Sequence, residues 1–321
     1  MNCKKLSLFL LLLLSLNISA QLIVSEEPIV LKTKTGDIFG SLKAPNSKTP
    51  VPIAIIIAGS GPTDRNGNSQ LTQNDAYKML SDELFYSGIA TLCFDKRGIA
   101  ASKSAMKEES DIRFENYIED VKGWINLLSN DKRFSNIIII GHSEGSLIGM
   151  IAAKNNPKVT KYISIAGMGV PFDVILKEQL EKQLAGQPQA TKDLIFSYLD
   201  KLQQGETISN VPPTLNALFR PSVQPYMISV MKYNPQEEIA KLTIPTLIIQ
   251  GTTDIQVPTE QANLLSVANP KAQKVIIENM NHVLLKDCKS SDMVEQMPTY
   301  SNKSIPLNKE IGKAIISFIK N

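Results

Sequence analysis

Three side chains far apart in the chain have the types needed for covalent acyl transfer, in the order serine, aspartate, histidine. Ser143 lies in Gly141-His142-Ser143-Glu144-Gly145, just after the four-isoleucine run Ile137–Ile140 and just before Leu147-Ile148-Gly149-Met150. A buried strand that turns sharply into a helix, with small residues flanking the serine, is the context of a nucleophile elbow, which holds a hydroxyl exposed at a sheet edge. A bare Gly-x-Ser-x-Gly recurs by chance as a simple turn, so its placement between strand and helix carries the weight. A hydroxyl is a weak nucleophile at neutral pH and needs an adjacent base. The chain has only two histidines. His142 adjoins the serine and is expected to point away from its side chain, which leaves His282, in Glu278-Asn279-Met280-Asn281-His282, as the base. An imidazole base in turn needs a carboxylate to hold its tautomer. Asp254, in Gly251-Thr252-Thr253-Asp254-Ile255-Gln256-Val257-Pro258, is the choice. Its plainer reading is a cap for the helix after Pro258, and Asp173, Glu278 and Asp287 are the weaker candidates for the acid.

Acyl transfer also requires donors aimed at the developing oxyanion. The backbone N–H of Glu144, at the helix start, supplies one. The loop Gly59-Ser60-Gly61-Pro62-Thr63-Asp64-Arg65-Asn66-Gly67 supplies the other, assigned to the amide of Ser60 because its flanking glycines let the backbone approach a ligand closely. Gly59, Gly61 and Arg65 are candidate substrate contacts. The plainer readings are that Asp64 and Arg65 fix their own loop by local hydrogen bonds, and that the Glu144 carboxylate is simply favourable near a helix N-terminus.

These residues need a frame that brings distant loops to one edge. Short β-branched runs alternate with amphipathic ones, the pattern of parallel strands joined by crossover helices. Ile29 to Lys34 and Ile38 to Lys43, around Thr35-Gly36-Asp37, predict an opening hairpin. Val51 to Ala58, Ala90 to Asp95, Asn136 to Gly141, Tyr162 to Ala166, Thr246 to Gly251 and Lys274 to Glu278 predict six buried strands. Helices are expected at Asp75 to Tyr86, Phe114 to Leu128, Ser143 to Ala153, Glu260 to Val267 and Asn308 to Ile319. The interval 169–244 holds no convincing strand and reads as a helical cap over the strands' carboxyl ends. The expected architecture is therefore a core of 21–168 and 245–321 with a cap at 169–244: a mostly parallel eight-stranded sheet with helices on both faces.

On these motifs the chain resembles the α/β-hydrolase superfamily over essentially all of its mature length. Phe94-Asp95-Lys96-Arg97-Gly98 followed by Ser102 is similar to the Asp-x-Arg-Gly segment that many members carry after the fourth strand, which the resemblance implies to be structural. The loop Gly59 to Gly67 resembles that of exported bacterial esterases in the serine-aminopeptidase-like branch with a helical lid. One position departs, since many relatives have His-Gly where this chain has Ala58-Gly59. The resemblance implies serine-dependent ester hydrolysis without a cofactor. Peptide or thioester cleavage on the same triad is the alternative, because the fold does not separate them.

Composition sets the outer limits. The 321 residues are 43% hydrophobic and 20% charged, with a net charge of +3, and the basic residues are scattered. That is an ordinary globular composition without the basic patch of a nucleic-acid partner. Lys4 and Lys5, the apolar run Leu6 to Leu16 and Ile18-Ser19-Ala20 form an export signal at 1–20, so a periplasmic or secreted protein is expected. The apolar run is about half the ~20 residues that span a bilayer, so no membrane span is expected in the mature protein. Cys93 is expected to pack as a small hydrophobe rather than to pair with Cys288, neither cysteine has metal-ligand spacing, and two histidines without a Cys-x-x-Cys leave almost no material for a structural zinc site. The expected partner is a small acyl ester.

Overall fold

The computed structural model describes residues 26–286 and 288–321; the expected export signal and Asp287 lie outside them. Eight strands form one sheet in the order β1-β2-β4-β3-β5-β6-β7-β8. They are β1 Glu26–Lys32, β2 Asp37–Lys43, β3 Val51–Ile57, β4 Ala90–Phe94, β5 Phe134–His142, β6 Val159–Ile165, β7 Thr246–Gly251 and β8 Gln273–Ile277. The pairings β1–β2 and β2–β4 are antiparallel, and all the others are parallel. This is the mostly parallel sheet anticipated from the alternation of strand and helix patterns.

The isoleucine runs form central strands because both faces of a parallel sheet are covered. Successive side chains of a strand point to opposite faces. Ile53, Ile55 and Ile57 of β3, with Ile137 and Ile139 of β5, pack on one side against the helices Phe114–Leu128 and Glu144–Ala153, around fully buried Trp124. Ala54, Ile56, Ile138 and Ile140 pack on the other side against Ala76–Tyr86 and Lys309–Lys320. Cys93 of β4 is a free thiol within that second layer.

The opening hairpin differs from its expected form. Lys32 pairs with Asp37, so the turn is Thr33 to Gly36 rather than Thr35-Gly36-Asp37. Both the amide and the hydroxyl of Thr33 donate to the Gly36 carbonyl, at 3.2 and 2.6 Å. The hydroxyl of Thr35 donates to the Ala105 carbonyl at 2.8 Å, so docking on a distant segment sets this turn. β5 is also longer than expected, starting at Phe134, because Val51 of β3 pairs there.

Between β6 and β7 the chain forms five α-helices, Phe172–Gln183, Gln189–Gln203, Asn216–Phe219, Gln224–Val230 and Pro235–Ala240, and a 3₁₀ turn at Pro213–Leu215. Among the described residues of this interval there is no strand. Leu180, Leu199, Leu202, Phe219 and Met227 give it an apolar cluster of its own.

Candidate active site

β5 delivers Ser143 to the carboxyl edge of the sheet. Its backbone has φ 54° and ψ −123°, a conformation that costs a non-glycine residue about 1–3 kcal/mol and persists only where the surroundings enforce it. Close packing enforces it here. A Cβ on Gly141 would lie 2.3 Å from the Gly145 carbonyl oxygen, and one on Gly145 would lie 2.4 Å from that of Ile57. Only glycine fits at either position, so the turn stays tight and the serine rises above it. The Ser143 amide donates to the Ile165 carbonyl at 2.8 Å. That leaves the N–H of Glu144, first residue of the helix and without an intrahelical acceptor, as the amide next to Ser143.

The loops after β7 and β8 meet beside it. A Cβ on Gly251 would come within 2.0 Å of the Met280 carbonyl oxygen, so these loops touch backbone to backbone. The contact brings Asp254 Oδ2 to 2.8 Å from His282 Nδ1, with both residues buried. Asp254 Oδ1 accepts the amides of Gln256 and Val257, each at 2.8 Å, and Gln250 Nε2 donates to Oδ2 at 2.9 Å. Asp254 therefore turns its own loop instead of capping the next helix, whose N-cap is Pro258. Burial disfavours its charge, but the imidazole and the two amides outweigh burial and hold the carboxyl below the usual range. Of the weaker candidates for the acid, Asp173 lies in the first turn of Phe172–Gln183 and Glu278 is exposed.

His142 lies behind His282, with the ring centroids 4.8 Å apart. Its Nε2 is 2.8 Å from the His282 carbonyl oxygen and its Nδ1 is 2.8 Å from the Tyr77 hydroxyl. That hydroxyl accepts the Gly59 amide at 3.1 Å. Only one proton assignment satisfies the whole chain: Nε2–H donates to the carbonyl, and the Tyr77 O–H donates to Nδ1. The neutral ring thus ties the histidine loop to the loop after β3. Nothing in the sequence marked Tyr77, which reads as one more aromatic on an apolar helix face.

Burial, reinforced by the neighbouring His282, pushes His142 down to about 3 from an ordinary 6.5. In the unfolded chain it takes up a proton as pH falls through its ordinary value, while the folded protein resists until about pH 3. Its contribution is therefore complete above pH 6.5 and lost progressively toward pH 3. We expect urea-unfolding stability to decline with acid in this window by a few kcal/mol. His142→Gln should flatten the slope, and an unchanged slope would remove His142 as its source.

The Gly59 to Gly67 loop crosses in front of the elbow. A Cβ on Gly59 would sit 3.0 Å from that of Ser143, a tight contact. Ser60 is exposed and lines the same cavity as Ser143, whereas Gly61 lines a neighbouring one. Arg65 is not among the residues lining the Ser143 cavity. Its guanidinium pairs with Asp95 at 2.6 Å and donates to Ser41 at 3.1 Å, anchoring the loop to the sheet. The Asp64 carboxylate does serve its own loop, accepting the amides of Asn66 and Asn68. Glu144 is more than a favourable charge at a helix start. Its side chain is buried, accepts a hydrogen bond from the Tyr226 hydroxyl, and lies 3.7 Å from Lys96 Nζ.

Ser143, His142 and His282 open onto a cavity of about 370 Å³. Leu71, Met168, Phe172, Ile175, Leu176 and Val283 supply apolar walls, three of them from the helix Phe172–Gln183. None of the described residues lining it is Asp or Glu. Among the described residues, no group of His, Cys, Asp and Glu could hold a metal ion.

A family profile described as serine aminopeptidase, S33, matches residues 72–289, which is more than half of the chain. The chain belongs to that family. It is 24% identical over 263 residues to an esterase, EstD of Thermotoga maritima, matching 80% of this chain and 60% of that protein's length. Solved structures share the fold, two of them as follows. Est1E from Butyrivibrio proteoclasticus is 17% identical with a TM-score of 0.59, covering 92% of this chain and 99% of its own. The α/β hydrolase GrgF from Penicillium sp. sh18 is 17% identical with a TM-score of 0.60, covering 92% and 98%. The S33 family member described here thus has the α/β-hydrolase fold.

Proposed function

We propose that this protein hydrolyses carboxylic esters through an acyl-enzyme on Ser143. The observation that carries the reading is the buried Asp254–His282 pair at 2.8 Å, opening onto the same cavity as a serine held in a strained elbow. Ser143 Oγ attacks the ester carbonyl and His282 Nε2 takes its proton. The N–H groups of Glu144 and Ser60 receive the oxyanion. The tetrahedral intermediate then collapses and expels the alcohol, which leaves with the proton from His282. Water, deprotonated by the same imidazole, attacks the acyl-enzyme and releases the acid, restoring Ser143. Asp254 holds Nδ1 protonated throughout, so that Nε2 is free to accept.

Ester rather than aminopeptidase chemistry is favoured by the walls of the cavity. An aminopeptidase must neutralise the α-ammonium of its substrate in a desolvated pocket, and an unpaired buried charge is costly. No carboxylate lines the cavity, and that of Glu144 is already engaged by Lys96 and Tyr226. A hydrophobic acyl or alcohol group fits the apolar walls. We expect kcat/KM for a p-nitrophenyl butyrate-type ester to exceed that for amino-acid p-nitroanilides by about 10³-fold or more, a difference of ~4 kcal/mol. Equal or greater turnover of the anilides would reverse the assignment.

A further inference from the structure

Lys96 is the least expected charge in the molecule. Its side chain is 3% exposed and its ammonium lies 5.3 Å from the centroid of the Tyr117 ring. Taking an ammonium out of water is expensive unless strong partners compensate. It has two. Nζ donates to the Gly59 carbonyl oxygen at 2.5 Å, and Glu144 Oε2 is 3.7 Å away, on a carboxylate that is itself 2% exposed. The other oxygen of that carboxylate accepts the Tyr226 hydroxyl.

The two partners are informative because of what else they carry. The Gly59 carbonyl belongs to the peptide group whose nitrogen is that of Ser60. No peptide in the described chain is cis, and in a planar trans amide the C=O and N–H point in opposite directions. A cation clamped on this oxygen therefore fixes the Ser60 N–H to point away from Lys96. It also withdraws electron density from the amide and makes that N–H a stronger donor, as hydrogen bonds in series do. The second partner, Glu144, carries the other amide assigned to the oxyanion.

We infer that Lys96 is the positioning residue of the oxyanion hole, orienting the Ser60 N–H through the Gly59 carbonyl while its ion pair with Glu144 holds the second donor. The inference rests on the ester-hydrolase reading of Ser143. It also accounts for the Ala58-Gly59 departure. Gly59 is held on its N–H by the Tyr77 hydroxyl and on its carbonyl by Lys96, so no side chain at position 58 is needed to orient it.

The test compares wild type, Ser143→Ala, Lys96→Met and the double variant Lys96→Met with Glu144→Gln, which avoids leaving a buried carboxylate unpaired if the single variant fails to fold. Ester kcat should fall on the order of 10- to 100-fold in the Lys96 variants, with KM within about threefold, because a misaimed donor is felt mainly in the transition state. Affinity for a trifluoromethyl ketone, which adds to Ser143 as an oxyanion, should fall in parallel. Affinity for the matching methyl ketone should change less than threefold. A double variant with kcat within threefold of wild type overturns the inference, as does equal loss of affinity for both ketones. A Ser143→Ala protein as active as wild type overturns the ester reading instead, and the Lys96 role falls with it.

Discussion

Ser143→Ala should lower ester turnover by roughly 10⁴- to 10⁶-fold and leave the protein folded. The size follows from what is removed, since no covalent intermediate can form and only background attack by water remains. Folding should survive because alanine keeps the Cβ, which adjoins Gly59, together with the backbone turn enforced by Gly141 and Gly145. Deleting one partly exposed hydroxyl should move the melting temperature by no more than a few degrees. Steady-state hydrolysis of a p-nitrophenyl ester beside a thermal melt separates the two effects. Activity within tenfold of wild type in a folded variant would sink the nucleophile assignment.

Asp254→Asn should cost about 10⁴-fold in kcat, almost as much, although it changes no side-chain volume. The present carboxylate faces four donors: the amides of Gln256 and Val257, Gln250 Nε2 and His282 Nδ1. In the asparagine variant Oδ1 keeps the two amides, so the Nδ2 group faces His282. It would donate to Nδ1 and force the ring proton onto Nε2, the atom that must receive the serine proton. The tautomer is then wrong for catalysis while the loop remains in place. A measured loss below tenfold would show that Asp254 does not govern the imidazole.

How much of this was legible beforehand depended on how locally each feature is encoded. The central strands were readable because Ile53 to Ile57 and Ile137 to Ile140 are apolar on both faces, as only a covered sheet demands. Ser143 could be read from five residues, since steric exclusion at Gly141 and Gly145 is a local matter. Asp254 and His282 are legible only by order and by elimination, and the loop contact that pairs them depends on Gly251 meeting Met280, which no local pattern announces. The supporting shell was not legible. Asp95, the partner of Arg65, lies at another strand end, so the anchoring of this loop is not encoded locally. The Asp-x-Arg-Gly segment looked purely structural, as Arg97 with Asp120 indeed is, yet Lys96 within it turns to the loop after β3. Tyr77 carries no signal in the sequence and His142 only its place beside the serine, and the relay from the Gly59 amide to the His282 carbonyl gives them meaning.

The most direct test of the central claim, that His282 and Asp254 activate Ser143 in a cavity open to substrate, is covalent trapping with an alkyl fluorophosphonate followed by peptide mass mapping. One adduct per chain is expected, on the peptide bearing Ser143, with fast labelling in wild type, slow labelling in Asp254→Asn and none in Ser143→Ala. An unlabelled wild-type protein, or an adduct that persists in Ser143→Ala, would contradict it.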